Sequence, residues 1–199
     1  MLNVAAFLRR AGRNLPNAIS AARLAATPVL LAAVLLRHAG FFTWLLFACL
    51  LSDILDGLIA RGFHLTSKLG AALDSAADAA TMLIAIVGVI VFERPFVHAH
   101  LAGILLVVIL YCVEMIAAFL RYGRLSSFHT LFARIAAYAG GIFVQVLFFW
   151  GYQGWLFHIA VAAYAVSSIE ELVLIGLLPT WQSDVGGVYR VLAAGKAKP

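Results

Sequence analysis

The sequence predicts an all-α membrane protein: six transmembrane helices in one bundle, with an N-terminal interfacial amphipathic helix. Three observations carry this. Of 199 residues, 64% are hydrophobic and 12% charged, against about 45–50% and about 25% in soluble domains, so the chain lacks the polar surface to solvate a compact fold. The apolar residues fall in stretches of about 20, the length a helix needs to cross the hydrocarbon of a bilayer. The basic residues cluster at the ends of those stretches on one side of the membrane. A mean hydropathy of +1.02 agrees. Disorder, a collagen repeat and a disulfide scaffold are excluded, because the apolar fraction is too high, glycine has no period of three, and the two cysteines, Cys49 and Cys112, sit inside apolar runs.

Residues 1–15 come first. Leu2, Val4, Phe7 and Leu8 alternate helically with Arg9, Arg10 and Arg13, which suits a short helix among anionic head groups. Its charges follow the apolar residues, so it does not read as a signal peptide. Six apolar spans follow, near 17–36, 41–60, 69–92, 97–120, 129–150 and 155–178, within a domain of residues 16–180, and residues 181–199 form a cytoplasmic tail. With the N-terminus in the cytoplasm, Arg9, Arg10, Arg13, Arg61, Lys68, Arg121, Arg124, Arg190, Lys196 and Lys198 lie on that side, as do Arg23 and Arg134 in the first turns of spans one and five. Only Arg37 and Arg94 fall outside. This bias explains the net charge of +5 without a nucleic-acid partner. Gly40, Pro95 and Gly151 mark the three outer turns. Trp44, Trp150, Trp155 and Trp181 sit near span ends, where tryptophan anchors to the interface.

Four of nine acidic residues fall between Asp53 and Asp78, at the end of span two and the start of span three. An ionised Asp beside hydrocarbon costs about 2.5–3.5 kcal/mol even on the lenient insertion scale, so the four require a common partner. Asp53 and Asp56 are three apart, Asp74 and Asp78 four apart, so each pair presents both carboxylates on one helix face. The intervening turn is short, which makes the helices antiparallel neighbours. Four hard oxygen donors, with only His64 in the turn nearby, suit Mg²⁺ or Mn²⁺ over Zn²⁺, with room for two ions. Gly57 and Gly70 allow close approach to the backbone, and Arg61 has a planar fork suited to phosphate. The competing reading is a small intramembrane cation transporter or channel using the same aspartates as its ion site. It predicts basic partners within other spans and repeated halves; the other spans offer Glu114, Glu170 and Glu171, no span core holds a Lys, and no internal repeat is visible.

The run Asp53-Ile-Leu-Asp56-Gly57-Leu-Ile-Ala60-Arg61, eight residues, Gly70-Ala-Ala-Leu-Asp74-Ser-Ala-Ala-Asp78 resembles the full D-x2-D-G-x2-A-R-x8-G-x3-D-x3-D signature of the CDP-alcohol phosphatidyltransferases. Upstream, Pro16-Asn17-Ala-Ile-Ser20-Ala-Ala-Arg23 is similar to the P-N-x-[IL]-[ST]-x2-R segment of many bacterial members. The resemblance implies a six-helix enzyme, usually a homodimer, in the bacterial inner membrane with its site facing the cytoplasm, moving a phosphatidyl group from CDP-diacylglycerol to an alcohol with release of CMP. By position it implies Asp53, Asp56, Asp74 and Asp78 at the metals, Asp78 also as the base, and Gly57, Ala60, Arg61 and Gly70 at the CDP.

For the acceptor, the second cytoplasmic loop offers Arg121, Arg124, His129 and Arg134, with Glu114 in span four. Arg121 and Arg124 also read as positive-inside anchors. Arg134, about a turn inside span five, suits a phosphate clamp, and it could also snorkel or pair with Glu114. A basic pocket favours a phosphorylated acceptor such as glycerol 3-phosphate or inositol phosphate. The G-K-x-K-T stretch associated with bacterial phosphatidylglycerophosphate synthases is absent, and the region reads Ser126-Ser-Phe-His129-Thr130-Leu-Phe-Ala-Arg134.

Overall fold

The computed structural model describes residues 4–63, 68–124, 130–180, 182 and 185–191. Its elements are all helical: α1 (Val4–Leu35), α2 (Ala39–Phe63), α3 (Lys68–Phe92), α4 (Arg94–Ala99), α5 (Leu101–Tyr122), α6 (Leu131–Trp150) and α7 (Gly154–Leu177). Among the described residues, five are long and apolar enough to cross a membrane, through Ala18–Leu35, Leu73–Phe92, Leu101–Tyr122, Leu131–Trp150 and Gly154–Leu177. The expected second span lies on α2, whose apolar part among the described side chains is Ala39–Leu55. Residues 4–15 are the first part of α1. α1 runs unbroken past Pro16, which gives up one backbone bond to the Gly12 carbonyl within a stretch rich in Ala, Leu and Arg, the better helix formers.

The outer turns also differ in detail. Gly40 lies in the first turn of α2, and the reversal before it is made by Arg37, with φ 59°. The Arg37 N–H donates to Val34 O at 3.1 Å and the His38 N–H to Ala33 O at 2.9 Å, the paired bonds of a Schellman ending. The Arg37 guanidinium donates to Val91 O at 3.3 Å, so this outer-side exception to the charge bias closes the end of α3. Pro95 sits in the first turn of α4, where its missing N–H costs nothing. Gly151 ends α6 at φ 79°, its N–H donating to Leu147 O.

The helices cluster as two compact units, Met1–Arg94 and Pro95–Pro199. In the first, α1 packs along both α2 and α3. Its core contains Leu30, Ala33, Val34, Phe42, Leu46, Cys49 and Ala77, with Thr27, Thr43 and Thr81 buried among them. Thr27 and Thr43 donate to the Leu24 and Ala39 carbonyls of their own helices, which satisfies hydroxyls that have no water to turn to. Meanwhile Val29, Leu31, Trp44, Leu83, Ile86 and Ile90 are exposed. Polar groups inside and large apolar groups outside is the arrangement expected of lipid-facing helices.

Phe42 is fully buried, its ring 5.5 Å from that of Phe92. Gly88 lets α3 pass against it: a Cβ there would collide with the Phe42 ring. Gly88→Val is therefore expected to cost about 1–3 kcal/mol through overpacking, a melting temperature lower by roughly 3–10 °C in detergent. An unchanged melting temperature would mean that Phe42 has space to rotate away.

In the second unit α5 and α6 both pack on α7. At one end Phe96, Phe143, Tyr152 and Phe157 form an aromatic cluster, with Phe96 to Phe143 and Phe96 to Phe157 centroids each 5.5 Å apart. At the other end Ala118, Leu174, Ile175 and Leu178 form a core on which Val185, Val188 and Val191 pack. The Val188 N–H donates to Glu170 Oε1 at 3.2 Å, so the start of the expected tail docks on its own unit. Thr130 caps α6, accepting from the Ala133 N–H at 3.1 Å.

Candidate active site

Two sequence decisions bring acids together at one end of the first unit: α2 carries Asp53 late, and α3 carries Asp74 and Asp78 early. One ligand oxygen from each of Asp53, Asp74 and Asp78 lies within 4.8 Å of the others. Asp74 and Asp78, four apart, sit one turn above each other on α3, as the spacing requires.

The residue at the centre is Arg23, which sequence reasoning placed among the orientation charges and at the end of the upstream segment, but not at the aspartates. Its side chain is 1% exposed, and its guanidinium reaches all three acids. Nη1 pairs with Asp53 Oδ1. Nη2 lies 2.6 Å from Asp74 Oδ1 and 3.0 Å from Asp78 Oδ1. Ser20, one turn earlier on α1 and buried, donates to Asp74 Oδ1 at 3.4 Å. The signal for both was available: Ser20 and Arg23 are the last two fixed positions of the upstream segment, three apart and so on one face of α1.

The depth profile matters for chemistry. Arg23 forms a closed floor, whereas the side chains of Asp53, Asp74 and Asp78 are 38%, 44% and 51% exposed. The carboxylates thus line an accessible rim. Three carboxyl groups share one guanidinium, and hard oxygen donors at this spacing fit a divalent cation such as Mg²⁺ or Mn²⁺. A helical glycine, Gly70, stands one turn before Asp74.

Other expected residues are placed less fully. Asp56, Gly57, Ala60 and Arg61 belong to α2, on the turns following Asp53, and their side chains lie outside the described residues, as do His64 and His129. The acceptor candidates belong to the second unit. Arg121 donates through Nε and Nη2 to Leu178 O, at 3.3 and 3.1 Å, and through Nη2 to Gly176 O at 3.3 Å. Tyr122 Oη donates to the carbonyls of the same end of α7, 3.0 Å from Ile175 O and 2.9 Å from Leu178 O. Arg121 is therefore occupied in closing α7. Arg134 is exposed, about a turn inside α6, and Arg124 is exposed just past the Gly123 cap of α5. Glu114 is buried in α5.

No curated protein and no solved structure matches the chain. The profile of the CDP-alcohol phosphatidyltransferases does match, over residues 13–180. That range takes in α2 and α3 with their aspartates, Ser20 and Arg23 beneath them, and every apolar helix long enough to span. The chain belongs to the CDP-alcohol phosphatidyltransferase family.

Proposed function

We propose that this protein transfers the phosphatidyl group of CDP-diacylglycerol to an alcohol, releasing CMP, at the end of the first unit where Asp53, Asp74 and Asp78 converge. That convergence, in a chain of this family, is the observation that carries the reading. Asp53, Asp56 and Asp74 would hold one or two Mg²⁺ or Mn²⁺ ions, with Asp78 beside them. Such ions, when bound, neutralise the pyrophosphate charge and stabilise the departing CMP.

The protein's own groups supply the rest. Gly57, Ala60 and Gly70 let the nucleotide lie against α2 and α3, and Arg61 pairs with the pyrophosphate. The Asp78 carboxylate takes the proton of the acceptor hydroxyl as its oxygen attacks the phosphorus bearing diacylglycerol. The bond from that phosphorus to the bridging oxygen breaks, and the electron pair leaves with CMP. Exposed apolar helix faces keep the acyl chains in lipid, while the rim opens to water-borne acceptor at the cytoplasmic side of the bacterial inner membrane. The enzyme works as a homodimer.

The test is CMP release from CDP-diacylglycerol by purified protein with Mn²⁺ or Mg²⁺ and a panel of alcohols including glycerol 3-phosphate and inositol phosphate. Release that depends on both metal and alcohol is expected; none with any alcohol overturns the reading. The family match favours this reading over a cation transporter or channel built on the same aspartates.

The acceptor is a phosphorylated alcohol held by Arg134. Its guanidinium is exposed and sits in the first helical turns of α6, suited to bidentate phosphate binding. Arg134→Ala is expected to raise KM for the alcohol by about one to two decades, the equivalent of a charged hydrogen bond of roughly 1.5–3 kcal/mol, with KM for the CDP-lipid unchanged. Lys at this position restores part of the loss. A KM unchanged in the folded variant points to a neutral acceptor or to a clamp made by Arg121 and Arg124 instead.

A further inference from the structure

Arg23 does more than balance charge. A buried guanidinium on α1 reaches one acid on α2 and two on α3, so a single side chain ties together the three helices of the first unit at the end where the carboxylates stand. Its neighbours on α1 offer no alternative cation at this depth: Ser20 and Thr27, one turn to either side, are buried hydroxyls. The oxygens it holds, Oδ1 of Asp53, Asp74 and Asp78, belong to the same three carboxylates whose spacing fits a divalent ion.

Resting on the metal reading above, we propose that Arg23 is the resident counter-ion that assembles the carboxylate cluster before metal binds, and that a divalent ion displaces its guanidinium from part of that cluster. The reasoning is electrostatic. Three carboxylates within 4.8 Å repel one another unless a cation lies among them. Without metal, Arg23 is that cation, and its planar fork spans three acceptors as a lysine ammonium does not. With metal, the same lone pairs are drawn to a stronger cation, and two positive centres at hydrogen-bond range from shared carboxylates oppose each other. Arg23 and metal are thus thermodynamic competitors. By reciprocity, each weakens the other's hold on the cluster.

A merely structural arginine predicts lower stability on substitution and no gain in metal binding. A competing counter-ion predicts opposite signs for the two. In detergent with chelator, Arg23→Gln is expected to lower the melting temperature on the order of 10 °C, because the acids lose their compensating charge. Saturating Mn²⁺ is expected to recover most of that loss, so the metal-induced rise exceeds the wild-type rise. Direct Mn²⁺ titration is expected to give a Kd at least about tenfold tighter than wild type. Arg23→Lys keeps the charge without the fork and serves where Arg23→Gln does not fold: both changes keep their sign and shrink.

If wild type responds to Mn²⁺ and the variants bind it no more tightly, or keep their stability in chelator, the Arg23 proposal is overturned while the metal reading stands. A wild type indifferent to Mn²⁺ overturns the metal reading itself, and the displacement step with it.

Discussion

Asp53→Asn and Asp74→Asn are each expected to lower CMP release by about three decades, and removal of divalent metal by at least as much. Each substitution leaves a neutral oxygen where a cation needs a charged one, and electrostatic groups of this kind are worth about 10²–10³ in rate apiece. Asp56→Asn is expected to do the same. The measurement is initial-rate CMP release from CDP-diacylglycerol at saturating Mn²⁺, with a melting curve alongside. The curve matters because Asp53 and Asp74 also pair with Arg23: a variant that folds normally and turns over slowly has lost chemistry, while one that melts early has lost the floor of the site. Near-normal turnover in any one variant removes that residue from the ligand set.

Why the acids were legible in advance, and the arginine was not, has a physical basis. Carboxylates next to apolar helix are expensive, so their spacing carries information by itself, and spacings of three and four fix a shared face before any packing is known. An arginine in the first turns of a span is ambiguous. The same sequence position serves for snorkelling to head groups, for orientation and for pairing inside the bundle. Arg134 and Arg23 look alike in sequence, yet Arg23 is buried under three acids and Arg134 is exposed. The upstream segment marks Arg23 and not Arg134, but which side of the helix faces its neighbours is a tertiary fact.

The same distinction runs through the fold. Five spans follow directly from runs of apolar residues. The sixth lies on α2, apolar over Ala39–Leu55 among the described side chains, and carries Asp53 within that stretch. The outer turn at Arg37 was placed at Gly40 because glycine is the usual residue for positive φ. Here a Schellman ending forces Arg37 into that conformation, and its guanidinium meets the Val91 carbonyl. Helix endings of this type depend on what the side chain finds after the turn, which the local sequence does not encode.

Asp78→Asn is expected to lower kcat by about 10²–10⁴, the range for loss of a general base, with much less effect on KM for CDP-diacylglycerol. Position supports assigning it the proton. Of the three acids around Arg23, Asp78 has the most exposed side chain, 51% against 38% and 44%, and the longest reach to Nη2, 3.0 Å against 2.6 Å for Asp74. It is the least committed to the floor and the most open to an incoming hydroxyl. A base acts in the transition state, so its loss falls on kcat and leaves substrate affinity nearly intact. A metal ligand behaves otherwise, since removing it weakens Mn²⁺ and lowers turnover together. Titrating Mn²⁺ into Asp78→Asn separates the two: a Kd within a few-fold of wild type with slow turnover assigns Asp78 the proton, whereas a Kd weakened in step with the rate makes it a metal ligand and leaves the base to be found elsewhere.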